Sequence, residues 1–314
     1  MGRDPLDQSD TFQETMAKSV PNPEPGSGDT VAYDIAAPES QVAPVVFASP
    51  HSGTDYPPDF VADSPLDLLA LRRSEDFHVD ALFAAAPDHG MPLLRALFPR
   101  AFIDPNREPF ELDPAMFEDG LPDYANTQSS RVAAGLGTIA RIVSSGQEIY
   151  SRKLRFADAA ARINAHYRPY HRALKDLLDQ TRRRYGCYVL IDCHSMPSVG
   201  GPQDPDAGRR RADFVLGDCF SSACAEPVIA HIEKFVAARG YEVARNKPFA
   251  GGFTTRHYGR PSQGLHAIQI EINRGLYMDE TLIQPSDGMG KLKRDLTALI
   301  ESLAHIDVSA LRAA

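Results

Sequence analysis

Two histidines close two strand-like runs. Val45-Val46-Phe47-Ala48-Ser49-Pro50-His51-Ser52-Gly53 is an apolar run that ends in a His and a Gly turn. Cys187 to Ser198, CYVLIDCHSMPS, has the same form and delivers His194 close behind Asp192. Open α/β sheets build their sites at such strand ends. Two His brought to one sheet edge are the beginning of a metal centre. A catalytic zinc commonly takes two His and one carboxylate and keeps a position for water. Glu75-Asp76 supplies the acid candidates, and either residue would complete the set. Acids at the start of a helix are also common for dipole reasons alone. Asp192 could orient His194 by accepting from its second ring nitrogen.

Glu271 interrupts the apolar run Ala267-Ile268-Gln269-Ile270-Glu271-Ile272-Asn273-Arg274. A carboxylate there is costly unless it is paired or functional. At the mouth of the sheet it could take a proton from a metal-activated water and pass it to a leaving amine. The alternative is an ion pair with Arg274. Asp104-Pro105-Asn106-Arg107-Glu108-Pro109 holds Arg107 in a Pro-flanked loop. The Arg fork suits both oxygens of a carboxylate. Gly251 to Gly259 places Arg256, His257 and Tyr258 in one Gly-flanked loop, which could close over a substrate or remain a solvated turn.

The cysteines, Cys187, Cys193, Cys219 and Cys224, form no CxxC pair and read as buried thiols. A Cys193-His194 nucleophile is disfavoured, because neighbours on a strand point to opposite faces.

The 314 residues allow one large α/β domain or two small ones, and 43% hydrophobic residues can fill a substantial core. No apolar run approaches about 20 residues, so no membrane span is expected. No signal-peptide pattern opens the chain, so a cytoplasmic location is expected. Residues 1–40 carry −6 of the formal charge of −9, which leaves −3 for the remainder. Nothing in that balance suggests nucleic acid as a partner. Residues 1–30 are polar, Pro-rich and aperiodic, and read as a disordered or loosely held extension. The folded domain is expected over 31–314.

Along that domain, strands are expected at 42–49, 91–98, 101–104, 187–195, 212–216, 241–245 and 266–272. Helices are expected at 66–86, 147–164, 167–185, 223–238 and 287–303. Residues 105–124 read as a long, functional loop. Arg182-Arg183-Arg184 fits a helix C-terminus better than a nucleic-acid patch. The alternation predicts an α/β fold with a mixed, mainly parallel central sheet and helices on both faces.

Together, SPHSG (49–53), RSEDFHVDALF (73–83), DPNREP (104–109), DCHSMPS (192–198), DFVLGD (213–218), NKPFAGGFTTRHYG (246–259) and QIEINRGLYMDE (269–280) resemble the N-formylglutamate amidohydrolase family. The pieces run in order over nearly the whole folded part. The resemblance implies a single zinc-carboxypeptidase-like (phosphorylase/hydrolase-like) domain. It implies one divalent ion, Zn2+, and hydrolysis of N-formyl-L-glutamate to formate and L-glutamate, as in histidine breakdown. Carried over, His51 and His194 resemble the zinc-binding His residues. The carboxylate ligand falls at Asp76 or Glu75, with the family's usual acid at Asp76. Glu271 resembles the general base, and Asn106-Arg107 a substrate-carboxylate clamp. Arg256 and Arg274 are candidates for a second carboxylate or for polarising the carbonyl, and Tyr258 for holding substrate. The implied partner is a small anionic N-acyl amino acid. Two other readings stay open: a deacylase for another N-acyl amino acid, and a non-catalytic metal- or amino-acid-binding protein. A cysteine hydrolase using Cys193 is the third.

Overall fold

A computed structural model describes residues 31–201 and 204–313. The expected extension at 1–30 lies outside the described residues. Seven strands form one sheet: β1 (Tyr33–Ala36), β2 (Val45–Ser49), β3 (Leu93–Ala96), β4 (Tyr188–Met196), β5 (Phe214–Gly217), β6 (Val243–Arg245) and β7 (Leu265–Asn273). Their order is β1-β3-β2-β4-β7-β5-β6. The centre, β3-β2-β4-β7, is parallel, while β1 and β5 join it antiparallel and β6 runs parallel to β5. The sheet is thus mixed and mainly parallel, as the alternation of elements predicts.

The period of two sorts side chains to its faces. Val45, Phe47, Val189, Ile191, Cys193, Ile268, Ile270 and Ile272 all enter one core. That core is closed by α4 (Glu226–Ala237) and α6 (Gly288–Leu303), through Val228, Ile232, Leu296 and Ile300 among others. The labels α1 (Ser130–Ala133), α2 (Phe156–Arg162), α3 (Arg168–Tyr185) and α5 (Phe253–Tyr258) complete the helices used below. Val46, Leu94, Leu190 and Ala267 enter the second core, against Tyr170, Leu174 and Leu178 of α3. Each fully buried Leu or Ile contributes about 1.5–3 kcal/mol. Helices therefore cover both faces. Among the described residues no helix is long and apolar enough to cross a membrane.

Three expected elements differ, each for a local reason. Residues 101–104 are a turn, not a strand: Ile103 N–H donates to Pro99 O, between two prolines. The helix expected over 66–86 breaks into Leu68–Arg72 and Val79–Leu82. Between them Asp76 N–H leaves the helical pattern and donates to His51 O at 3.0 Å. Tertiary bonding wins there over a helical sequence. The helix expected over 147–164 begins only at Phe156, where Asp158 Oδ2 accepts from Arg155 N–H. It does not stop at 164. A π turn, Ile163–Tyr167, carries it into α3 and accommodates the missing Pro169 N–H. Gly186 ends α3 at φ +79°, a conformation that suits glycine.

His166, in that π turn, stands edge-on to Phe98 and Phe102 at 5.3 and 5.4 Å between centroids. Burial, aided by the charge of Arg162, pushes its pKa down to about 4. The unfolded chain therefore binds the proton that the fold excludes, between about pH 6.5 and 4. Stability from this residue is complete above pH 6.5 and is lost as pH falls toward 4. His166→Phe keeps the ring and removes the titration. Melting curves at pH 7.5 and pH 5 are expected to show a smaller acid loss in this variant than in the wild type.

Candidate active site

Parity on β4 and β7 gathers the polar groups. Asp192 and His194 alternate with Leu190 on one face of β4, while Cys193 points into the opposite core. Gln269 and Glu271 are the register partners of Asp192 and His194 on β7. His51 follows β2 by two residues. Its turn packs so tightly that a Cβ on Gly53 would lie 2.2 Å from Phe98 O. The loop from Asp76 is sewn to the same turn: Ser52 Oγ donates to Asp76 O at 3.2 Å and accepts from Asp80 N–H.

Three side chains converge from these segments. Asp76 Oδ2 lies 3.3 Å from His51 Nδ1 and 2.9 Å from His194 Nδ1, and the two Nδ1 atoms are 3.1 Å apart. Each of the three residues is at least 98% buried. A tetrahedral ion with ligands at about 2.0–2.1 Å needs donor separations of roughly 3.3 Å. The group fits one cation. The outer ring nitrogens fit it as well. His51 Nε2 meets Asp104 Oδ1 at 2.8 Å, which leaves Nδ1 as the free ligand atom. His194 Nε2 lies 3.1 Å from Asp192 Oδ1 and 3.3 Å from Asn106 Nδ2. Asp192 is fully buried, and neither of its oxygens has an aligned hydrogen bond among the described residues. A carboxylate in that position favours positive charge on or beyond His194.

The electrostatics agree. Burial works against a charged His194, yet Asp192, Asp76 and Glu271 raise its pKa well above the usual imidazole range. Burial would lift Asp76, yet His194 and His51 hold it well below the carboxylate range. Asp104 is held low in the same way against its burial, by Arg107, His51 and Arg100. Four carboxylates around two imidazoles make a site that favours a cation.

Glu75 lies outside this group. Arg72 grips its carboxylate with Nε and Nη2, at 3.1–3.2 Å. Of the two adjacent acids, the structure brings Asp76 alone to the histidines. Arg274 does not pair with Glu271. Its guanidinium reaches Ser195 Oγ, Glu75 O and, at 3.2 Å, Asp76 Oδ1. Glu271 is instead held through Oε1 by Gln269 Nε2 at 2.8 Å, and its buried Oε2 has no partner among the described residues. Burial pushes its pKa up to about 7, with His194 pulling it down and Asp76 pushing it up.

The Asp104–Arg107 loop is clamped from the π turn and from α3. Tyr167 Oη donates to Arg107 O at 2.8 Å. His171 Nε2 meets Pro105 O at 2.8 Å, and its Nδ1 meets Tyr258 Oη at 2.9 Å. A carbonyl only accepts, so His171 donates from Nε2 and accepts the Tyr258 hydroxyl at Nδ1. Tyr258, a substrate-holding candidate by sequence, is thus a buried brace for the loop. Asn106 Oδ1 accepts from Thr254 N–H, and a Cβ on Gly252 would lie 2.3 Å from the Asn106 amide. Arg107 spends Nε on Leu136 O and Nη1 on Asn106 O, and Nη2, 3.7 Å from Asp104 Oδ2, is without a hydrogen bond among the described residues. Its cavity, of about 250 Å³, is lined also by Arg100, Asp104, Leu136, Ile142 and Phe249. Arg256, on α5, is exposed.

Asp104 and Arg100 are the site residues that the sequence reading passes over. Arg100 Nη2 holds Asp104 Oδ2 at 2.8 Å, and Nη1 lies 3.7 Å from Asp76 Oδ1. The signal for Asp104 was its place beside Pro105 in the Arg107 loop. Arg100 had none.

If His51 is a ligand, Asp104→Ala removes the acceptor that fixes its tautomer. Calorimetric titration with Zn2+ is expected to give about 10–100-fold weaker binding than in the wild type, with the fold retained. Unchanged affinity would contradict the assignment.

Comparison with known proteins places these features in a family. The profile of the N-formylglutamate amidohydrolase family matches residues 43–278. An N-formylglutamate deformylase of Pseudomonas putida is 30% identical over 269 residues, which cover 82% of this chain and 92% of the relative. That of Pseudomonas aeruginosa is 31% identical over 240 residues, covering 76% and 83%. The crystal structure of an N-formylglutamate amidohydrolase from Ralstonia eutropha JMP134 aligns with a TM-score of 0.81 at 38% identity, covering 88% of this chain and 98% of that one. A gene product of Agrobacterium tumefaciens, at 17% identity and a TM-score of 0.64, shares the fold. The chain is therefore a hydrolase, and it belongs to the N-formylglutamate amidohydrolase family.

Proposed function

We propose that the protein hydrolyses N-formyl-L-glutamate to formate and L-glutamate, with one Zn2+ held by His51, Asp76 and His194. The observation that carries the reading is the unpaired, buried Oε2 of Glu271 beside that triad. Bound there, the ion supplies Lewis-acid polarisation of the formyl carbonyl and acidifies a water. Glu271 takes a proton as the water oxygen bonds to the formyl carbon. The C–N bond then breaks, and Glu271 returns the proton to the glutamate nitrogen. A carboxyl pushed up to about 7 is suited to both transfers near neutral pH.

The remaining residues position and bind. Asp104 and Asp192 orient the two imidazoles. Arg274 and Arg100 fix Asp76 through its other oxygen. Asn106, Tyr258 and His171 hold the loop that presents Arg107 to the substrate. Arg107 and Arg256 are the candidates for its two carboxylates, which accounts for local Arg residues in an acidic chain. The reaction fits the place in histidine breakdown that the family resemblance implies.

Glu271→Gln keeps the volume and removes the base. Turnover of N-formyl-L-glutamate is expected to fall about 10²–10⁴-fold, with metal content and melting unchanged. The base must be ionised, so wild-type kcat/KM rises with pH through the Glu271 pKa and flattens above it. A neighbouring cation favours the ionised form, so this acid limb is expected below pH 7. A wild-type rate in the Gln variant excludes the assignment.

A further inference from the structure

We propose that Arg131 completes, with Arg107 and Arg256, a three-guanidinium cradle that selects substrates with a second carboxylate. The proposal rests on the function read above and names the residue that sets its specificity. No motif in the sequence marks Arg131.

The backbone ties Arg131 to Arg107. Arg131 O accepts from Leu136 N–H at 2.8 Å, and Leu136 O accepts from Arg107 Nε at 2.7 Å. The turn that carries Arg131 therefore also holds the Arg107 side chain, and Leu136 lines the cavity with Arg107. Arg256 comes from the other side. Its helix, α5, is anchored on Asn106, the neighbour of Arg107, through Thr254 N–H.

The guanidinium of Arg131 is not in a close ion pair among the described residues, and its Nη1 is shut off from solvent without a hydrogen bond. Burial and the charges of Arg107 and Arg256 push its pKa down to about 10, while Glu111 and Asp104 act on it in the opposite sense. Arg256 likewise forms no ion pair among the described residues. Cations crowded together and only partly offset by Asp104 and Glu111 are costly until an anion arrives. An anionic ligand gains from this arrangement, because a partly desolvated guanidinium binds a carboxylate more strongly than a solvated one. A substrate with one carboxylate is met by Arg107. A dicarboxylate also engages the second and third guanidinium.

The test compares N-formyl-L-glutamate with N-formyl-L-glutamine, which differs by one charge at nearly equal size. In Arg131→Gln, the preference for the glutamate compound, as a ratio of kcat/KM values, is expected to fall by about tenfold or more, chiefly through KM. Glutamine-compound turnover is expected within about threefold of wild type. An unchanged ratio, or equal losses on both compounds, overturns the proposal. If circular dichroism shows that the Gln variant is unfolded, Arg131→Lys is read instead. It keeps the charge and loses the fork, so a fall of about threefold or more in the ratio is expected, and an unchanged ratio overturns the proposal. Wild-type protein that does not turn over N-formyl-L-glutamate would overturn the function and this inference together. That outcome is distinct from an active wild type with an insensitive Arg131 variant.

Discussion

Asp76 Oδ2 closes a triangle with two imidazole nitrogens that face each other at 3.1 Å. Two neutral nitrogens aimed at one another repel unless a proton or a cation lies between them. With Asp104 and Asp192 behind the rings, the surroundings favour positive charge at that point. Much of the local structure serves this constraint. The helix after β2 breaks so that Asp76 can bond to the His51 turn, and Gly53 has no room for a side chain there. Arg274 crosses from the end of β7 to hold Asp76 Oδ1.

Around this anionic centre lies a cationic shell. Arg100 and Arg107 border the cavity, and both interact with Asp104. The design separates two demands. Carboxylates close to the imidazoles favour a metal, and guanidiniums farther out favour an anionic substrate. Glu271 stands at the junction, buried and half-satisfied. Its environment keeps the proton near balance, which is what a group that accepts and then donates requires.

The sheet and its ligand-bearing strand ends were legible because the apolar runs stop at polar residues with a period of two. That pattern set His194 and Cys193 on opposite faces, while the register of β4 on β7 is what brings Glu271 beside His194. The choice between Glu75 and Asp76 was not legible, since it depends on Arg72 and on a bond to His51 O. The roles of Tyr258, Asn106 and Arg274 were also hidden. Polar residues near a site look alike in sequence, whether they face the ligand or brace the backbone. Tyr258 braces Pro105 through His171, a residue 87 positions away. The helix expected over 66–86 failed for a related reason: a site residue overrode local propensity.

The account stands on the triad holding a metal that the reaction needs. The direct measurement is activity on N-formyl-L-glutamate after dialysis against a chelator, followed by stepwise addition of Zn2+. The account predicts loss of turnover on chelation and its return in proportion to the ion added, complete at one ion per chain. Full turnover by protein that carries no metal would contradict it.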